Sequence, residues 1–187
     1  MSYSSTYGCG SEEAVHTCHD CPDGRVREFA RVRHGGFIKK DYLATIAADP
    51  TLLASWTNGI TAGNVIILPE TSGSFDPGTP KELKGFGNRK KGFGPRTMKM
   101  LINDPDYADN YHFYNEIVDR TDLVPFFVTS SLLHLFDTEA SITASDPVAD
   151  DLEEEVFWNV ECEITSKNLP SKHQVATILE VFACDTF

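Results

Sequence analysis

Hydrophobic and polar positions alternate most clearly near the C-terminal end of the chain. In "VFWNVECEIT", Val156, Trp158, Val160, Cys162 and Ile164 share one parity, and Asn159, Glu161, Glu163 and Thr165 share the other, with Phe157 the exception. A period of two puts these sets on opposite faces of an extended chain, so the stretch predicts a strand with one buried and one solvated face. "LVPFFVTSSLLHLFDT" and "ASITAS" read as further strands, "NVIILPE" as a short buried one, and "RTMKMLI" as another. "RVREFARVRHGGFIKK" reads as two extended pieces that meet at a turn or bulge at Gly35-Gly36.

A helical period occurs in two places. "DYLATIAADPTLLASWTNG" is broken at Pro50; Asp49 is a candidate cap for a second short helix, and Asn58-Gly59 a candidate end. "NDPDYADNYHFYNEIV" predicts a helix over about 104–118, capped by Asn103 or Asp104, with Tyr107, Tyr111, Tyr114 and Val118 as one aromatic face. "TSGSFDPGTPKE" reads as a turn-rich loop, and "NLPSKHQ" as a polar link to an apolar tail, "VATILEVFAC", that suits a strand or a helix.

These patterns divide the chain into an extended, Cys-containing N-terminal arm at 1–24, without periodicity, and a single β-rich domain at 25–187 with an inserted glycine-basic loop at 71–96. Strands follow one another with little βα alternation. The expected fold is mainly β (α+β), a sandwich or barrel with one or two helices.

Composition narrows the function classes. The hydrophobic share of 41% and charged share of 24% are those of an ordinary globular chain. A net charge of −12 opposes general affinity for nucleic acid. No apolar run approaches the roughly 20 residues of a membrane span. The N-terminal stretch has neither the basic start nor the apolar segment of a secretory signal, so synthesis in the cytosol is expected and disulfides are not the default. The five cysteines, Cys9, Cys18, Cys21, Cys162 and Cys184, are an odd number and cannot all pair within one chain.

The charge is unevenly placed. Residues 81–99 hold seven cations (Lys81, Lys84, Arg89, Lys90, Lys91, Arg96, Lys99) against Glu82, whereas 146–163 hold eight anions and no cation. Opposite poles on one chain suit a head-to-tail contact between copies, which closes into a ring or runs on as a filament; charge would orient such a contact more than tighten it. The simpler reading of either block is a solvated face.

Within the basic block, "KGFGNRKKGFGP" has glycines at 85, 87, 92 and 94. It lacks the Gly-Lys-Ser/Thr of a P-loop and the GxGxxG spacing of a dinucleotide site. It reads as a solvent-exposed loop or as an interaction loop, in which glycines admit close backbone approach and Arg89, Lys90, Lys91 and Arg96 supply charge.

Near the N-terminus, Cys18 and Cys21 form a CxxC with His16, His19 and Cys9 nearby. Cys9, His16, Cys18 and Cys21 are a candidate zinc set, because CxxC supplies two of the four ligands a tetrahedral site needs. A second CxxC is missing; reduced thiols in a loose arm are the competing reading, and a zinc-stabilised binding module the competing function. No GxSxG or HExxH occurs, and Asp104 and Asp106 around Pro105 read as helix-start carboxylates. The chain is expected not to be an enzyme, and no cofactor beyond zinc is suggested.

The order of segments carries a resemblance. Its most specific pieces are Gly85 and Gly87 in "KGFGN", "NDPDY" followed by Phe113-Tyr114-Asn115, and "PVADDLEEEVFWNV", within a stretch of roughly 18–170. In these the chain resembles a group of small virion proteins of crAss-like and related phages of Bacteroidales, ring or tail-hub components that stack below the portal. The resemblance implies a tail-tube-like β-sandwich or barrel and a homo-oligomeric connector ring, commonly twelvefold, around a channel that passes DNA without binding it specifically. It further implies a virion location after synthesis in the bacterial host cytoplasm, and portal, tail or adjacent-ring proteins as partners. It transfers no catalytic residue. Combined with the charge poles, it makes Arg89, Lys90, Lys91 and Arg96 interface candidates, with Glu153, Glu154 and Glu155 facing them from a neighbour. The N-terminal cysteine cluster is a departure that the resemblance does not explain.

Overall fold

The computed structural model describes residues 32–68, 71–83, 92–105, 110–147, 156–175, 178 and 181. The fold is mainly β with antiparallel sheets, as the alternation predicts. In chain order the elements are β1 (His34–Lys39), α1 (Lys40–Ala48), α2 (Leu53–Thr61), β2 (Val65–Leu68), β3 (Ser72–Asp76), β4 (Glu82–Leu83), β5 (Gly92–Phe93), β6 (Arg96–Asp104), α3 (Tyr111–Ile117), β7 (Leu123–Val128), β8 (Leu132–Leu135), β9 (Ala140–Ser145), β10 (Trp158–Ser166) and β11 (Ser171–Gln174).

Three sheets result: a five-stranded one ordered β11-β8-β7-β1-β2, a four-stranded one ordered β3-β6-β10-β9, and a ribbon of β4 and β5. The two larger sheets pack face to face. Phe37 and Phe127 of the first share a core with Met98, Met100, Ile102, Val160, Cys162 and Ile164 of the second. Phe75 of β3 reaches across this layer to Phe127, with ring centroids 5.2 Å apart. On the far side of the five-stranded sheet, Ile38, Phe126 and Val128 pack with Ile46 of α1, Trp56 of α2, and Val175, Ile178 and Val181. Trp56 meets Phe126 edge-on at 5.1 Å and donates its indole N–H to the Pro50 carbonyl. The order of layers is therefore helices, central sheet, outer sheet.

This order explains the run of buried residues in β7, where all six positions are buried because both faces are covered. Pro125 sits inside this strand just ahead of 126–128, the stretch that pairs with β8. Gly35-Gly36 is not a turn: β1 runs straight through it, paired with β2 and β7. Glycine is needed at position 36 for close approach, since a Cβ there would lie 2.3 Å from the Ile66 carbonyl oxygen and 2.5 Å from the Phe126 ring.

Other expectations need correction. Asp49 does not cap α2; its carboxylate accepts from the backbone N–H and hydroxyl of Thr51 in a tight turn between the two helices. α2 continues through Asn58-Gly59 to Thr61, because Gly59 is buried against Tyr42 and Val65. The stretch read as a loop contains β3, whose Gly73 and Phe75 face inward opposite Ile102 and Met100. The polar link contains β11, paired with β8. The helix expected over 104–118 is described only from Tyr111 to Ile117. Asp104 ends β6 rather than starting the helix, and the face turned to the core is Tyr114 and Ile117; Tyr111 and Val118 are exposed. The pairing of Asp104 with Trp158 across β6 and β10 wins over helix initiation there. No described helix is long and apolar enough to cross a membrane.

Candidate functional site

The described surface most distinct from the packed layers is the outward face of the four-stranded sheet together with the ribbon that grows from its β3–β6 side. The register sets the face. Ser72, Asn103, Asn159 and Ser145 form one row; Ser74, Leu101, Glu161 and Thr143 a second; Asp76, Lys99, Glu163 and Ser141 a third. Hydroxyls, amides and carboxylates predominate, and Leu101 is the lone apolar member. Asp76, Glu161 and Glu163 face a single cation, Lys99.

Lys99 Nζ donates to Glu161 Oε1 at 2.6 Å, one row away from its direct register partner Glu163. That hydrogen bond, then the attraction of the Glu161 charge, raises the Lys99 pKa above its usual value, with Glu163 and Asp76 adding to the effect. Both partners are about half exposed, so the pair orders the surface more than it stabilises the fold. In the first row, Asn103 and Asn159 oppose each other, and the Oδ1 of each is shielded from solvent without a hydrogen-bond donor.

The ribbon stands between β3 and β6. Gly94 donates its N–H to the Lys81 carbonyl at 2.7 Å, and Lys81 returns one to Pro95, closing its base. Leu83 is 48% exposed and Phe93 70%. Among the described residues Phe93 is the most exposed large apolar side chain; Leu52, Tyr111, Val118 and Leu169 are exposed to about the same extent as Leu83.

Of the sequence-predicted interface residues, Arg96 is described. It opens β6 opposite Ser166, half-buried, with its Nε shielded from solvent and without a hydrogen-bond partner. It thus belongs to the sheet at the foot of the ribbon. Arg89, Lys90 and Lys91, and Glu153, Glu154 and Glu155, lie outside the described residues, as do the candidate zinc ligands Cys9, His16, Cys18 and Cys21. Asp106 lies outside them too.

Among the described residues, no three His, Cys, Asp or Glu side chains gather as a metal-holding group. Cys162 is buried in the core, where burial, and next the Glu161 charge, push its thiol up to about 12, far from the thiolate a nucleophile needs. The buried Asp104 carboxylate accepts hydrogen bonds from the Tyr114 hydroxyl and from Asn110 Nδ2, tying α3 to the end of β6. At the opposite end of β10, Asp137 accepts from Ser166, Asn168 and Thr138. Burial acts to raise the Asp137 pKa, but these three side-chain hydrogen bonds outweigh it and hold the carboxyl below its usual range.

The ribbon itself was not anticipated. Its signal is present: "GFG" occurs on both sides of Arg89-Lys90-Lys91, Glu82-Leu83 precedes the first, and Gly92-Phe93 opens the second. A search for two short extended pieces bracketing a glycine-rich turn finds it. Comparison of the chain with protein-family models, with curated proteins and with solved structures returns no match.

Proposed function

We propose that this chain is a non-enzymatic structural subunit of a phage connector or tail, which joins copies of itself into a ring below the portal around a channel for DNA. The observation that carries the reading is the β4–β5 ribbon: it forms a sheet of its own, exposes Leu83 and Phe93, and lies within a segment holding seven cations and one anion in a chain of net charge −12. A basic segment with exposed apolar side chains suits contact with an acidic neighbour, and this chain supplies acidic surface of its own. The resemblance of "KGFGN", "NDPDY" and "PVADDLEEEVFWNV" to ring components of crAss-like phages supports the connector assignment, and the acidic composition suits a channel wall that lets DNA slide. In this reading Arg89, Lys90, Lys91 and Arg96 meet carboxylates of a neighbour, with Glu153, Glu154 and Glu155 among them.

The test is the solution mass of the purified chain by light scattering, with negative-stain imaging of the same sample. A ring with a central hole is the expected result. Lys90→Glu combined with Lys91→Glu should abolish rings while the monomer stays folded. A monomer at every concentration would reduce the charge poles to solvated faces and overturn self-assembly.

A further inference from the structure

The four-stranded sheet has two edges of different character. β3 carries Asp76, and Val32 bridges to its Gly73. β9 pairs with β10 alone, and among the described residues no strand lies along its outer side. It runs for six residues, Ala140–Ser145, with neither a charge nor a proline among them. Natural sheets blunt an open edge with a charge, a proline, a bulge or a very short strand. β9 has none of these, and its register with β10 is regular along its whole length. The edges of the five-stranded sheet, β2 and β11, are shorter at four residues each.

A strand added to β9 would meet different chemistry on its two faces. On the outward face, Ser141 and Thr143 lie beside Glu163 and Glu161 of β10. The added strand would run two strand spacings from β10, about 10 Å, a gap that a lysine or arginine and a glutamate side chain close together. On the covered face, α3 packs by the same edge, with Tyr114 and Ile117 in one core with Ala140 and Ile142. Tyr111 opens this helix 53% exposed, and Val118 follows it 41% exposed. The Tyr111 ring lies 6.2 Å from that of Trp158, and the next residue of β10, Asn159, pairs with Ser145 at the end of β9. Alternate residues of an extended chain point to opposite faces, so one set would meet carboxylates and the other apolar side chains. We propose that the β9 edge takes up an extended segment of a partner protein in which apolar residues alternate with lysine or arginine. In this mode main-chain hydrogen bonds give affinity and alternate side chains give specificity.

Charge selects such a partner over a second copy's edge. Pairing β9 with β9 of another copy would set two Glu161–Glu163 rows on one continuous face. Of the chain's other described edge strands, β2 has no charge, β3 has Asp76 and β11 a single lysine, Lys172, so none offers alternating cations. This use of the edge does not depend on ring formation.

The probe is a fluorescein-labelled peptide alternating lysine and valine, added to the full chain at low salt. Fluorescence anisotropy reads binding, and amide hydrogen exchange over 140–145 reads its place. The peptide should bind and slow exchange across β9. N-methylation of alternate backbone nitrogens along the peptide's pairing edge removes donors and leaves the side chains; it should weaken binding by about tenfold or more. Glutamate in place of lysine should weaken it at least as much, and Glu161→Gln combined with Glu163→Gln should do so in the protein. Binding that survives N-methylation, or that leaves exchange over 140–145 unchanged, would be adhesion to an acidic face and would overturn strand addition. Equal binding of the glutamate peptide, or equal binding by the double variant, would overturn the basic partner. No binding of the lysine–valine peptide overturns the proposal outright. Exchange over 140–145 that slows as the chain alone is concentrated would put a second copy on the edge and overturn the separate partner.

Discussion

The two large sheets are built by the same antiparallel pairing yet are committed to the fold to different degrees. The five-stranded sheet is covered by the four-stranded sheet on one face and by α1, α2 and the Val175, Ile178 and Val181 side chains on the other. The four-stranded sheet has one covered face, and its outward rows are polar. A residue of β7 is thus answerable to packing whichever way it points, whereas in β10 packing governs only alternate residues. The difference teaches where function has room: on the outward rows and on the ribbon attached to them, where side chains change without reaching the core.

The strongest way to break this comparison is to strike the four-stranded sheet from its covered side. Trp158 is 4% exposed and packs on Tyr114 with ring centroids 4.9 Å apart. Trp158→Ala should cost about 3–5 kcal/mol, as truncation of a buried aromatic does. Chemical denaturation measures it, and an unchanged midpoint would show that the inner face of β10 is not core.

A smaller effect is expected at the edge of the same layer. Tyr114→Phe keeps the ring and removes the hydroxyl that donates to buried Asp104. Loss of a donor to a buried carboxylate should cost about 1–3 kcal/mol. The measurement is again a denaturation midpoint, and a neutral result would mean that the carboxylate is satisfied without the Tyr114 hydroxyl.

How far these features were legible in the sequence follows from the same one-sided burial. β10 was readable residue by residue because its covered and open faces differ in chemistry. β3 obeys the same period of two, but glycine and serine carry little hydrophobic contrast, so "SGSFD" resembled a loop. Gly35-Gly36 signalled a turn, yet the demand was for backbone proximity to a neighbouring strand, a fact of tertiary packing absent from local pattern. The aromatic helix was recognised but extended too far toward the N-terminus, because Asp104 and Pro105 imitate a helix start while Asp104 is held by cross-strand pairing and by Tyr114. Of the interface candidates chosen by charge, Arg96 is the one among the described residues, half-buried at the start of β6; the exposure of Leu83 and Phe93 was not legible, because apolar residues in a basic run draw less notice than the charges around them.

A pH series tests the covered end of β10 more gently. Asp137 has a depressed pKa in the folded state, from an ordinary value of 3.8. A depressed folded-state pKa adds stability that is present above the unfolded-state value and is lost as pH falls through the folded-state value. Wild type should therefore lose stability between about pH 5 and pH 2 more steeply than Asp137→Asn, which has no charge to titrate there. Equal slopes in melting temperature against pH would show that Asp137 contributes no linkage, and that Ser166 and Asn168 are held by backbone geometry instead.

The smallest expected effect on the fold sharpens the comparison most. Glu163 points outward from β10 and is exposed, with Cys162 and Ile164 on either side of it turned into the core. Glu163→Gln keeps the shape and hydrogen-bonding reach of the side chain and removes one charge from a row that also holds Asp76 and Lys99. Away from packing, such a change should move the melting temperature by no more than about 1–2 °C. If the outward face receives the basic segment of a neighbour, the same substitution should weaken self-association and flatten its dependence on salt, because removal of a charge from a surface contact acts mainly through screened electrostatics. A variant that melts and assembles like wild type would remove Glu163 from the contact. One that melts several degrees lower would show that the outward rows serve the fold after all, and the distinction between the two sheets would fail at its most exposed point.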